Sequence, residues 1–257
     1  MIIVFRSPQQ QNYKMTYCLG IKVKDGLVAL SDTRISSGTS TTTRKKISIH
    51  QHGHSDFFLM TSGLRSVRDK AIQYLDEATD SVIVYDKLYK IVNMFGEIIR
   101  RVAAEDKETL QKAGYKFNIN AIIGGQLSAD SEHKLFLIYS EGNWIEIGYG
   151  SPYVVIGNTS HGKGILNQIV TDNSTIEQAL KAAFISFEAT RKVSNDVEFP
   201  IDVMVYKKNS FAMKESHFMA ADLQHVSESW HKKLQQSVEE IPNDWIINMM
   251  NQHSPIK

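Results

Sequence analysis

One cysteine in 257 residues has no internal partner, so the chain is not a disulfide-stapled secreted scaffold and reads as a protein of a reducing compartment. Only five prolines are present, and no proline-rich, glycine-rich or repetitive tract marks a linker. One large domain therefore fits the first 218 residues better than two small ones. Charge of one sign is also lacking: 29 Lys and Arg stand against 28 Asp and Glu, which argues against a nucleic-acid footprint or an anionic-membrane surface. No apolar run approaches the length that crosses a bilayer. The start, Met1-Ile-Ile-Val-Phe, is too short for an export signal and has Arg6 behind it, not in front. A cytoplasmic protein with no membrane and no nucleic-acid partner is expected.

What the sequence does contain is concentrated between residues 15 and 46. Thr16 directly follows Met15. If Thr16 is the first residue of the mature chain, it carries both a hydroxyl nucleophile and a free α-amine that can serve as its base. Residues 1–15 then form a leader or a mis-assigned start, and Ser7-Pro-Gln-Gln-Gln-Asn within them is polar and turn-prone. Apolar runs at 17–23 and 27–30 flank Lys24-Asp25-Gly26, a hairpin signal that can fold Asp32 back beside Thr16.

Further along, period-two alternation predicts a strand over 46–50 after a small-residue loop at 36–43. A strand buried on both faces follows at 56–61. Apolar residues at threes and fours predict helices over 64–78 and 88–102, and later over 176–192 and around Ile165. Strands are expected at 118–123, 135–140, 144–147, 153–156 and 201–206. Strands come in blocks and helices in blocks, which indicates an antiparallel sheet system with helices outside it, an α+β fold. From residue 219 the texture changes: Leu223, Val226, Trp230, Leu234 and Val238 form a helical stripe, and Trp245-Ile-Ile-Asn-Met-Met follows.

Thr16-Tyr-Cys, Gly26-Leu-Val with Ser31-Asp-Thr-Arg, Arg44-Lys-Lys-Ile, Thr61-Ser-Gly-Leu, Ser186-Phe-Glu-Ala-Thr and Pro200-Ile-Asp together resemble the proteasome-like N-terminal-nucleophile hydrolases. The likeness is greatest to their bacterial Anbu branch. It runs from residue 15 to the C-terminus and implies a four-layer αββα sandwich. It also implies that Lys46 is the catalytic lysine with Asp32 as its partner, and that the Gly63 N–H donates to an oxyanion. Thr61 and Arg65 would line the pocket for the residue before the scissile bond, with an acidic or polar preference if Arg65 reaches in. Lys45 is the rival of Lys46, and on an alternating strand only one of the two can face the site.

The late part of the pattern departs from the family. The serine expected after Ile156-Gly157 has no clean counterpart in Asn158-Thr-Ser-His-Gly, and the later Asp and Ser pair is blurred into Val193-Ser-Asn-Asp. Ser194 and Asp196 enter as provisional members. Other features read as bland: Cys18 as a small buried hydrophobe, and His50, His52 and His54 as a strand turn without metal-ligand partners. Residues 157–164 lack the Gly-Lys-Ser/Thr ending of a phosphate loop. Neither metal nor cofactor is expected.

The reading is a threonine peptidase or amide hydrolase acting on a peptide or protein through Thr16, with residues 16–218 as the catalytic domain. Residues 219–257 form a helical extension for self-association into a ring or helical homo-oligomer. A proteasome-fold assembly subunit without turnover, and an amide-transferring enzyme of the same nucleophile class, are the alternatives. An ATP-dependent unfoldase partner is left open.

Overall fold

A computed structural model describes residues 16–37, 40–51, 56–79 and 85–251. The predicted leader, His52 and His54 lie outside them. Within them β1 (Tyr17–Val23) and β2 (Gly26–Asp32) form the expected hairpin, with Val23 opposite Gly26 and Cys18 opposite Ser31. It is the centre of an antiparallel sheet in the order β10-β1-β2-β11-β12, where β10 is Tyr153–Gly157, β11 Ile201–Lys207 and β12 Met213–Phe218. A second antiparallel sheet has the order β5-β6-β7-β8-β9. Its strands are β5 (Ile47–Gln51), β6 (Asp56–Gly63), β7 (Ile119–Gln126), β8 (Lys134–Ile138) and β9 (Trp144–Ile147).

Period-two alternation decides which core each residue of β6 enters. Phe58 and Met60 point between the sheets, where they meet Cys18, Leu27, Ala29 and Ile122. Phe57 and Leu59 point the other way, onto α1 (Arg65–Thr79) and α2 (Leu88–Lys112), through Val67, Leu75, Val92 and Phe95. On the far side α3 (Lys163–Ile169) and α4 (Ile176–Arg191) complete the outer layer, and Phe187 of α4 sits edge-on to Tyr17 with ring centroids 6.1 Å apart. The start of α4 is capped reciprocally: Thr175 Oγ1 accepts from Gln178 N–H at 3.2 Å, and Gln178 Oε1 accepts from Thr175 N–H at 2.9 Å. The result is an αββα sandwich with two five-stranded sheets, one apolar core between the sheets and another beneath α1 and α2.

Three expectations are corrected. Residues 36–43 are not simply a loop: β3 (Arg34–Ser37) and β4 (Ser40–Thr43) pair antiparallel. Backbone pairing forms this ribbon, and no apolar pattern in 36–43 reveals it. Strand β12 was not foreseen, because an edge strand carrying Lys214, Glu215 and His217 lacks the usual apolar signal, and charge at an edge deters pairing with other chains. Helix α2 continues to Lys112, ten residues beyond the last apolar position used to predict it, on a solvent-facing run rich in Glu, Asp and Lys.

The chain divides into two compact units, the first ending at Met219 and the second starting at Ala220. The second holds α5 (Ala220–Glu239) and α6 (Asp244–Asn251), in which no residue is buried. Leu234, Val238, Ile241, Trp245, Ile247 and Met250 are exposed there. Among the described residues no helix is long and apolar enough to cross a membrane.

Candidate active site

Thr16 stands at the entrance to β1, held by its carbonyl, which accepts the Asn158 N–H at 2.7 Å. Gly157 makes that approach possible: its φ is +91° and a Cβ there would lie 1.9 Å from the Thr16 carbonyl oxygen. Hairpin β1–β2 returns Asp32 to the same end, and Asp32 is wholly buried. Its Oδ1 accepts from Thr16 Oγ1 at 3.0 Å, from Tyr17 N–H at 2.8 Å and from Lys46 Nζ at 2.7 Å. Its buried Oδ2 has no hydrogen-bond partner among the described residues. Burial pushes the Asp32 carboxyl up from the usual carboxylate range, and the charge and hydrogen bond of Lys46 offset this only in part.

Lys46 lies immediately before β5 with its side chain 3% exposed, and donates a second hydrogen bond to the Arg34 carbonyl at 3.1 Å. Lys45 points the opposite way, as adjacent residues on extended backbone do, and pairs with Glu215 of β12 at 2.6 Å. Cys18 is buried two residues from Thr16, its Sγ 4.0 Å from Thr16 Oγ1. Burial pushes its thiol up to about 12, against the pull of Lys46, so it remains a neutral thiol at neutral pH.

Gly63 ends β6 where the chain turns into α1, with φ +124°, and a Cβ there would sit 2.2 Å from the Asn118 carbonyl oxygen. Only glycine fits this turn without displacing backbone. Thr61 is buried on β6. Arg65 is exposed, and its Nε reaches Asp69 Oδ2 at 3.4 Å. Asp69 also receives Arg44 at 2.8 Å and Arg68 at 3.5 Å. Burial raises the Asp69 carboxyl, but the Arg44 hydrogen bond and the Arg68 charge together hold it below the usual range.

Ser194 does not hydrogen-bond Thr16 itself. Its Oγ accepts from Asn158 Nδ2 at 3.0 Å, while the Asn158 backbone N–H holds Thr16. Asp196 enters none of these bonds. Of the residues left open after Gly157, it is therefore Asn158, 4% exposed, that joins the late turn to the Thr16 end of β1. Its position directly after the strand was the available signal. Arg44, Arg68 and Asp69 were not singled out from the sequence, because on a helix and a strand approach they look like ordinary surface charges. Beyond Thr33 a cleft of about 380 Å³ opens between Arg44, Lys45, Asp202, Glu215 and His217, with His217 Nδ1 2.6 Å from Asp202 Oδ1. The described residues contain no group of three His, Cys, Asp or Glu that could hold a metal ion.

A two-sheet sandwich that brings threonine, aspartate and lysine together at one end of the first hairpin defines a class of protein, and the sequence profile of that class, the proteasome subunit, matches residues 14–205. The chain belongs to this family. Within it the chain is similar to Anbu: the helical assembly of the Anbu complex from Pseudomonas aeruginosa is 25% identical, with 88% of this chain and 97% of that chain covered at a TM-score of 0.82. Anbu from Yersinia bercovieri, described as an ancestral β-subunit, is 25% identical over 88% and 98% of the two chains, TM-score 0.81. A Gly-1 mutant of Anbu from Hyphomicrobium sp. strain MC1 is 27% identical over 88% and 99%, TM-score 0.80. No curated protein matches the chain.

Proposed function

We propose that this chain is a threonine hydrolase of amide bonds in peptides or proteins, active once Thr16 is the first residue. The observation that supports it best is the buried Asp32 Oδ1, which receives Thr16 Oγ1 and Lys46 Nζ at once. Asp32 fixes the hydroxyl and the ammonium at one point, the nucleophile and orienter halves of a catalytic set. The freed Thr16 amine supplies the base. A neighbouring lysine ammonium lowers the pKa of that amine and keeps more of it neutral at physiological pH.

Thr16 Oγ attacks the substrate carbonyl carbon and its proton passes to the amine. The carbonyl oxygen takes the negative charge, which the Gly63 N–H steadies, a donor of a kind whose loss raises the barrier by ~3 to 4 kcal/mol. The tetrahedral species collapses, the C–N bond breaks, and the proton moves on to the departing nitrogen. Water then attacks the Thr16 ester, the amine again taking a proton, to release a carboxylic acid and restore the hydroxyl. Asn158 holds the Thr16 carbonyl and anchors the turn that carries Ser194, so both act as positioning residues.

Intact mass of the purified protein tests the first requirement, that residues 1–15 are absent. A peptide epoxyketone, which reacts with the hydroxyl and then the amine, should add its whole mass once per chain, and Thr16→Ala should abolish the adduct. Equal labelling of wild type and Thr16→Ala would overturn the reading.

A second reading, a subunit that assembles without turnover, is favoured by the exposed apolar residues of α5 and α6 and by Ser194 bonding to Asn158 and not to Thr16. The Pseudomonas aeruginosa relative forms a helical assembly, which supports self-association here in either reading. Deleting the chain from Ala221 onward should reduce particle size in light scattering if these helices form the contact.

A further inference from the structure

The cleft beyond Thr33 is walled by β11, β12 and the segment that enters β5. In the register of the two strands Asp202 stands opposite His217, and Met204 opposite Glu215. Side chains alternate along a strand, so Asp202, Glu215 and His217 share the face that carries Met204, Tyr206 and Met213 into the core between the sheets. The apolar face turns polar there. Its volume of about 380 Å³ is that of a small-molecule site.

The donors around this cleft are spent, and its acceptors are not. Arg44 gives Nη1 to Asp69 at 2.8 Å, Lys45 gives Nζ to Glu215 Oε2 at 2.6 Å, and Thr33 Oγ1 donates to the Pro200 carbonyl at 3.0 Å. Against them stand Asp202, 4% exposed and 2.6 Å from His217 Nδ1, and the second oxygen of Glu215. That oxygen, Oε1, is buried and has no hydrogen-bond partner among the described residues. A buried acceptor left without a donor costs free energy, which an incoming N–H recovers. Diagonal neighbours on paired strands lie about 7–8 Å apart, and an ammonium that bonds a carboxylate on each side at about 2.8 Å fits between them. A metal ion fits less well, since no group of three His, Cys, Asp or Glu among the described residues could hold one.

We propose that this cleft is a binding site for a primary amine, carried by a free alkylamine or by a lysine side chain of a peptide, with Glu215 Oε1 and Asp202 as its acceptors. Lys45 is the internal competitor: its ammonium, on a side chain 55% exposed, already holds the other oxygen of Glu215. Thr33 follows Asp32 and Lys45 precedes Lys46, so a bound amine rests on both neighbours of the buried ion pair. The assignment does not depend on what Thr16 does.

Isothermal titration calorimetry of the full chain tests it with putrescine, Nα-acetyl-lysine methylamide and Nα,Nε-diacetyl-lysine methylamide, the last of which is uncharged. Both amines should bind saturably, one per chain, and the diacetylated probe at least about tenfold more weakly, since it loses a charge-assisted hydrogen bond. Glu215→Gln should weaken both amines about tenfold, with Asp202→Asn as the second variant if the first fails to fold. Lys45→Ala should tighten them, because the competing ammonium is gone; a purely structural Glu215 gives no such gain. Tighter putrescine assigns the site to a free amine, and a tighter lysine probe assigns it to a lysine side chain. Equal binding of the charged and diacetylated lysine probes, heat without saturation, amine affinity unchanged in Glu215→Gln, or no tightening in Lys45→Ala would overturn the proposal.

Discussion

Asp32 and Lys46 meet at 2.7 Å with side chains 0% and 3% exposed, whereas Ser194 and Asn158 meet at 3.0 Å in a turn where Ser194 is half-buried and Asp196 joins neither. The early half of the site grows out of sheet structure. Asp32 ends a strand paired on both sides, with Ile201 opposite it, and Lys46 enters the next sheet one residue later at Ile47. The late half hangs on the turn after β10 and the segment after α4. Strand pairing fixes a side chain's face as well as its place, while a turn leaves both to local hydrogen bonds. The early groups are therefore oriented by the fold itself, and the late ones by each other.

The largest break in that comparison should come from Lys46→Ala. It strands a fully buried carboxylate beside two remaining donors, and removing one partner of a buried ion pair costs about 3–5 kcal/mol. Chemical denaturation should show a loss of that size, and epoxyketone labelling should disappear in whatever folds. A loss under about 1 kcal/mol, the size of an exposed pair, would mean that Asp32 and Lys46 are not the closed unit described.

Changing pH sharpens the contrast next. Asp32 binds its proton more tightly folded than unfolded, because burial outweighs the help of Lys46. Its contribution to stability is therefore fully present below the unfolded carboxylate value of about 3.9 and is lost as pH rises through its higher folded value. Labelling runs the other way: the ionised carboxylate is needed to hold the ammonium, so the acid limb of the rate should lie above the ordinary carboxylate range. Asp32→Asn should flatten the stability change across that interval. A wild-type acid limb at the value of a free aspartate would contradict the assigned burial effect.

Legibility in the sequence followed the same division. The hairpin signal could fold Asp32 back beside Thr16, whereas Lys46 entered through the family resemblance, with period-two alternation only separating it from Lys45. Both outer helix pairs and nine of the strands left apolar patterns. The ribbon β3–β4 and the charged edge β12 did not, since backbone pairing needs no apolar side chain. Asn158 stayed hidden among five candidate turn residues because a loop has no period to choose among them. The arginines around Asp69 stayed hidden for another reason: convergence from residues 44, 65 and 68 exists only after α1 has packed beside the approach to β5.

Asn158→Ala tests the late half with a smaller expected effect. It removes the hydrogen bonds to Ser194 Oγ and from Ser160 N–H but keeps the backbone N–H on Thr16, so a stability loss of about 1–2 kcal/mol is expected from two part-buried side-chain bonds. Labelling should slow without vanishing. Abolition would raise this turn to the same rank as Asp32 and Lys46.

The smallest effect should come from Lys45→Ala. Its ammonium pairs with Glu215 at 2.6 Å with the Lys45 side chain 55% exposed, and exposed pairs of this kind contribute about 0–1 kcal/mol. The stem of Lys45 points away from Thr16, so the labelling rate should match wild type and the denaturation midpoint should barely move. The pair of neighbouring variants thus reads the strand register directly. Loss of labelling in Lys45→Ala with Lys46→Ala unchanged would mean a register one residue off, with the charge beside Thr16 supplied by the wrong lysine.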